Sequence, residues 1–129
     1  MSGQFLEING IRVYLVSANG PEMRTDKDAV DLMSAASDQH AEFFAIPVER
    51  LGDAFFELRT RIAGQLVQKF VMYGKRVAIV GEISQRIATS KSLTAFVAES
   101  NRGRDLWFVK NLEDLGNRFS MVMEPSDLG

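Results

Sequence analysis

Arg76-Val77-Ala78-Ile79-Val80 is a short apolar run without alternation, the pattern of a parallel strand whose two faces are both covered. Glu42-Phe43-Phe44-Ala45-Ile46 has the same character, and Leu106-Trp107-Phe108-Val109 supplies a third run. Between the first two, Phe55, Leu58, Ile62, Leu66 and Phe70 recur at helical spacing, widened by Ala63, Val67 and Val71. That stripe predicts one long helix from Asp53 to Tyr73. Strands that alternate with helices call for a parallel sheet with crossover helices.

Toward the N-terminus, Phe5-Leu6-Glu7-Ile8 and Ile11-Arg12-Val13-Tyr14-Leu15-Val16 flank Asn9-Gly10. Those two residues tolerate the positive φ of a type I′ turn, so a β-hairpin is expected. Gly20-Pro21 breaks the chain. Thr25 then offers an N-cap for a helix from about Asp26 to Ser37, with Ala29, Val30, Met33 and Ala36 as its apolar stripe. Downstream, Ser90 is placed to cap a helix carrying Leu93, Phe96, Val97 and Ser100 on one face. Asn101-Arg102-Gly103 predicts a left-handed stop, and Leu112 to Phe119 a last short helix. The fold class is therefore α/β: a mixed, mainly parallel sheet opened by a hairpin, with about four helices.

The 129 residues, 46% hydrophobic with nine Phe, suffice for one core, so a single domain over 1–129 is expected, its core at about 4–120 and a loose tail at 124–129. A net charge of −2 offers no basic field for nucleic acid. The cluster Lys69, Lys75 and Arg76 is too small to change that. The first residues lack a basic start followed by an apolar stretch, and no apolar run approaches the ~20 residues of a membrane span. With no Cys, disulfides and thiolate metal sites are excluded, and a cytoplasmic location is the expectation.

The residues carry a family resemblance. Phe55-Phe56-Glu57-Leu58-Arg59-Thr60, Ala63-Gly64, Gln68-Lys69-Phe70 and Tyr73, followed by Ala78-Ile79-Val80-Gly81, Ser90-Lys91-Ser92-Leu93, Phe96, Glu99-Ser100-Asn101 and Gly103, resemble domain-of-unknown-function family 4180 over roughly Phe5 to Phe119. The resemblance implies a bacterial protein and brings no catalytic residues with it. In architecture, a hairpin and a helix followed by strand-helix units resemble the STAS domains of anti-sigma-factor antagonists, which are protein switches. In those domains a phosphorylatable Ser in an Asp-Ser-Ser-Gly-type segment opens the helix after the third strand. Here Glu57-Leu58-Arg59-Thr60-Arg61-Ile62-Ala63-Gly64 lacks that pattern and leaves Thr60 near the equivalent place.

Ligands of open α/β sheets bind outside the carboxyl ends of the strands, which directs attention to Pro47–Asp53, Gly81–Thr89 and Lys110-Asn111. In the segment 81–92, read as a loop, Glu82, Ser84, Ser90, Lys91 and Ser92 are candidates for binding a small ligand: Ser90, Lys91 and Ser92, with Thr89, could hold an anion, and Glu82 is placed to act as a base or ligand. The spaced glycines of a Walker A loop are missing. His40 is the only imidazole and precedes the third strand, Glu42–Ile46, at the end away from that edge, so no imidazole triad is available there. No metal site and no cofactor are expected. Gly64, inside the strongest helical stripe, implies that some backbone approaches closely there. Glu57 and Arg61 are spaced for an i,i+4 pair. Trp107 is a core residue, or an interface anchor if its strand is exposed.

Together these features point to a non-enzymatic, STAS-like regulatory or protein-interaction module. Its expected contact surface is Leu51, Asp53, Phe56, Glu57 and Thr60, with another protein as partner. The alternative is a small-ligand or phosphate-binding domain using 81–92. A homo-oligomer fits either.

Overall fold

The computed structural model describes residues 3–36 and 40–122, without the side chains of 121 and 122. The helix end expected at Ser37 and the tail at 124–129 lie outside them. Strands β1 (Gly3–Ile8) and β2 (Ile11–Val16) form the antiparallel hairpin. Its turn residues Asn9 and Gly10 sit at φ 49° and 83°, as a type I′ turn requires. Helix α1 (Asp26–Ala35) follows, then β3 (Phe43–Pro47), β4 (Arg76–Val80) and β5 (Leu106–Val109), each parallel to the strand before it. The five-stranded sheet has the order β1-β2-β3-β4-β5.

Because every parallel step advances in one direction, connections of one hand place their helices on one face. That face holds Tyr14, Val16, Phe44, Ile46, Val77, Ile79, Leu106 and Phe108 in one apolar cluster with Ala29, Leu32 and Met33 of α1, and with residues from α3 (Ile62–Met72) and α5 (Lys91–Arg102). The alternate side chains, Ile11, Val13, Phe43, Ala45, Ala78, Trp107 and Val109, form a second cluster on the opposite face. There they meet Leu115 and Phe119 of α6 (Leu112–Val122). Period-two alternation within the strands thus feeds two separate cores. Trp107 is only 2% exposed, packed on Phe43 and Phe119 at ring-centroid distances of 5.2 and 6.0 Å, so it is a core residue and no interface anchor.

Thr25 caps α1 with a reciprocal box. Its hydroxyl accepts from the Asp28 amide, and the Asp28 carboxylate accepts from the Thr25 amide at 3.0 Å. Ser90 caps α5 by accepting from the Leu93 amide at 3.1 Å. Both caps follow the expected chemistry.

Four local expectations are corrected. The helix from Asp53 to Tyr73 is broken into α2 (Asp53–Phe56), a 3-10 turn at Leu58–Thr60, and α3. The Thr60 hydroxyl is the cause: it lies 2.6 Å from the Ala54 carbonyl and 2.8 Å from that of Glu57, and accepts from the Ile62 amide. A hydroxyl that bonds the backbone locally competes with helix continuation, and Arg61 takes up the reversal at φ 65°. Glu57 consequently pairs with Arg59 at 3.3 Å rather than with Arg61. Second, residues 81–92 are not one loop but contain α4 (Ser84–Ala88), which brings the described α-helices to six. Third, Gly103 ends α5 in an extended conformation, φ −93° and ψ −159°. Asn101 is drawn away to accept from the Phe108 amide, and the Trp107 indole donates to the Gly103 carbonyl. Fourth, Gly64 admits no close backbone approach, since no atom outside its own helix lies within 4 Å of the place a Cβ would take.

No helix of the described residues is long and apolar enough to cross a membrane. The open space at Gly64 makes Gly64→Ala stabilising by about 0.5–1 kcal/mol, the helix-propensity difference alone. Urea unfolding reads this as a higher midpoint at unchanged slope; a lower midpoint contradicts the open geometry.

Candidate functional site

After β4 the chain turns through Gly81 to α4 and α5 on one face, whereas after β5 it turns through Lys110 and Asn111 to α6 on the other. Adjacent strands whose continuations part to opposite faces leave a crevice at their carboxyl ends, the place where open α/β sheets take ligands. A cleft of about 450 Å³ lies there, within the range of small-molecule sites. Its apolar wall is Ile83, Ile87, Val97, Phe108 and Val109; its polar rim is Glu82, Ser84, Lys110, Asp114, Asn117 and Arg118.

Most of the rim charges are already engaged by the fold. The Glu82 carboxylate accepts from the Ser84 amide at 3.0 Å, ahead of α4. That hydrogen bond is the first cause of a carboxyl held below its ordinary value, with the Ser84 hydroxyl and the Lys110 charge acting the same way. A carboxylate so stabilised is a weak base. The Asp114 carboxylate accepts from the Lys110 amide at 3.3 Å, while the Asn111 side chain accepts from the Asp114 amide at 2.8 Å, which together cap α6. Arg118 donates to the Asn101 carbonyl at 2.6 Å and lies over the Trp107 ring at 4.2 Å. The Lys110 ammonium is different: it is exposed, has Glu82 as its charged neighbour, and has no hydrogen-bond partner among the described residues.

The ligand candidates of the 81–92 segment are thereby divided. Glu82 and Ser84 line the cleft. Ser90 and Ser92 instead border a separate shallow hollow with Asp53, Phe56, Glu57, Arg59, Arg86 and Thr89, and α4 separates the two groups. The Ser90 hydroxyl is spent on its cap. Lys91 is exposed and borders neither hollow.

The expected contact surface is also divided. Leu51 and Phe56, 5% and 6% exposed, belong to the core. Asp53 and Glu57 are exposed; Asp53 pairs with Arg86 at 3.0 Å, whose guanidinium lies over the Phe56 ring at 4.4 Å. Thr60 is half-buried, its hydroxyl bonded to backbone on both sides. His40 is exposed at the opposite end of the sheet, before β3. Among the described residues no group of three or more His, Asp or Glu is placed to hold a metal ion.

Asp114, Asn117 and Arg118 escaped the sequence reading. Their signal is the i, i+3, i+4 polar stripe of α6, the counterpart of its apolar Leu115 and Phe119. It points to the cleft only once the direction of α6 is known.

Because its lowered native value stabilises the charged form, Glu82 contributes stability above the ordinary glutamate range near about pH 4.3 and loses it as pH falls through that lowered value. Glu82→Gln is expected to lower the melting temperature at pH 7, with the two proteins converging on acidification below about pH 4. A constant offset across that range would show that the carboxylate does not cap α4.

No curated protein and no solved structure matches the chain. The family model that does match covers residues 8–119, and by it the chain belongs to DUF4180, a domain of unknown function.

Proposed function

We propose that this domain is a non-enzymatic binding module whose ligand occupies the crevice between the carboxyl ends of β4 and β5. The observation that carries the proposal is the union of an apolar wall with one uncommitted cation, Lys110, on a rim whose other charges serve helix ends and the β5 edge. Such a site suits a small molecule with an apolar body and a single carboxylate. The body covers Ile83, Ile87, Val97 and Phe108, and the carboxylate pairs with the Lys110 ammonium. Catalysis draws no support from the same groups, because the only acid ahead of α4 is held in its charged form and the imidazole lies at the other end of the sheet.

The STAS-like switch centred on Thr60 rests on element order. Against it stand the buried Leu51 and Phe56 and the engaged Thr60 hydroxyl. A regulatory role remains compatible with the crevice: a ligand bridging α4, α5 and α6 makes its occupancy felt on both faces of the sheet.

Octanoate is a suitable probe. In amide-resolved NMR titration, shifts are expected at Gly81, Ser84, Lys110 and Asn117, and Lys110→Glu is expected to weaken binding by about tenfold, the scale of one charge-assisted contact of ~1.4 kcal/mol. Shifts confined to other surfaces, or an unchanged affinity in Lys110→Glu, would contradict the assignment.

A further inference from the structure

The two edges of the sheet are finished differently. At the β5 edge the outward Phe108 amide is taken by the Asn101 side chain at 2.8 Å, and Arg118 ties the Asn101 carbonyl to α6 at 2.6 Å. Neighbouring Trp107 adds an indole bond to the Gly103 carbonyl. The outward amide in the middle of that edge is therefore already taken.

The β1 edge carries no such device among the described residues. The hairpin register pairs Ile8 with Ile11 across a two-residue turn, which makes them a mutually hydrogen-bonded pair, with Leu6–Val13 and Gln4–Leu15 following at period two. Consistent with this alternation, the Arg12 carbonyl points the other way and accepts from the Glu42 amide at 2.9 Å. The amides and carbonyls of Gly3, Phe5 and Glu7 therefore face outward, and no hydrogen bond from another described residue reaches them. The strand has no Pro, no Lys and no bulge, the usual means by which an edge is protected. Phe5, Leu6 and Ile8 are half-buried on it, and Arg12 lies over the Phe5 ring at 4.3 Å.

We propose that β1 pairs antiparallel with β1 of a second copy of this chain, about a two-fold axis at Phe5, to make one continuous sheet through both copies. The occupant is a second copy because the edge is self-complementary in this register. Phe5 meets Phe5 and Gly3 meets Glu7, so all the outward groups of both strands are paired. Charge selects the same register: Glu7 lies opposite a glycine, and the two carboxylates stand at opposite ends of the contact. An axis at Glu7 would set them face to face, and an axis at Leu6 leaves Gly3 unpaired. On the helix face the contact joins the two Phe5 rings, each backed by its own Arg12. On the other face it sets Gln4 beside Leu6. Pairing over five residues falls below the roughly 1,200 Å² of a standard interface, so the dimer is reversible and concentration-dependent.

Sedimentation velocity of the full chain across a concentration series, combined with amide exchange, tests this. The expected result is a shift from monomer to dimer, with the Phe5 and Glu7 amides gaining protection as dimer accumulates while Leu6 and Ile8 stay protected throughout. Glu7→Pro removes an outward donor and leaves the β1–β2 ladder whole, so it is expected to sediment as a monomer while melting within a few degrees of the parent. A monomer at every concentration overturns the proposal. So does a dimer in which the Phe5 and Glu7 amides still exchange freely, which would place the contact elsewhere. The exchange of the unmodified chain decides the matter even if Glu7→Pro fails to fold.

Discussion

The departure of the chain to opposite faces after β4 and β5 is the constraint on which the rest depends. Three successive parallel steps in one direction commit α1, α3 and α5 to one side of the sheet. The reverse side, with Phe43, Ala78 and Trp107, then needs cover of its own. Leu115 and Phe119 of α6 supply it, with Phe119 at 5.0 Å from the Phe43 ring and 6.0 Å from Trp107. Burying large side chains of this kind is worth about 1.5–3 kcal/mol each. That packing determines the path of α6, and the path of α6 opens the crevice.

The same economy explains the character of the rim. Glu82 and Asn111 stand where they do because the first amides of a helix need acceptors, Asp114 reaches back to the Lys110 amide ahead of α6, and α4 and α6 both begin at the sheet's carboxyl edge. Arg118 stands where it does because the β5 edge must be closed. Carboxylates used in this way hold geometry, so the proposed binding reading rests on apolar contact and the Lys110 charge.

Sequence patterns were legible wherever a local physical rule acted alone. Asn9-Gly10 specified the hairpin, unalternated runs marked the covered strands, and Thr25 and Ser90 announced their helices. They misled where tertiary contacts competed. The stripe from Phe55 to Phe70 is satisfied by two helical pieces as well as by one, and nothing in its period reveals that Thr60 bonds back to Ala54. Asn101 and Gly103 favour a left-handed stop, but the Phe108 amide at the β5 edge takes the Asn101 side chain instead. Of the site, Glu82, Ser84 and Lys110 followed from the rule about strand ends. Its far wall did not, because the face on which α6 lands is decided by the sheet's uncovered aromatics.

The most direct test of the crevice is a crystal structure of the domain soaked with 8-bromooctanoate, read by bromine anomalous scattering. A bromine peak is expected against Phe108, Ile83 and Val97, with the carboxylate beside Lys110. A peak confined to another hollow, such as that bordered by Ser90 and Ser92, would contradict it.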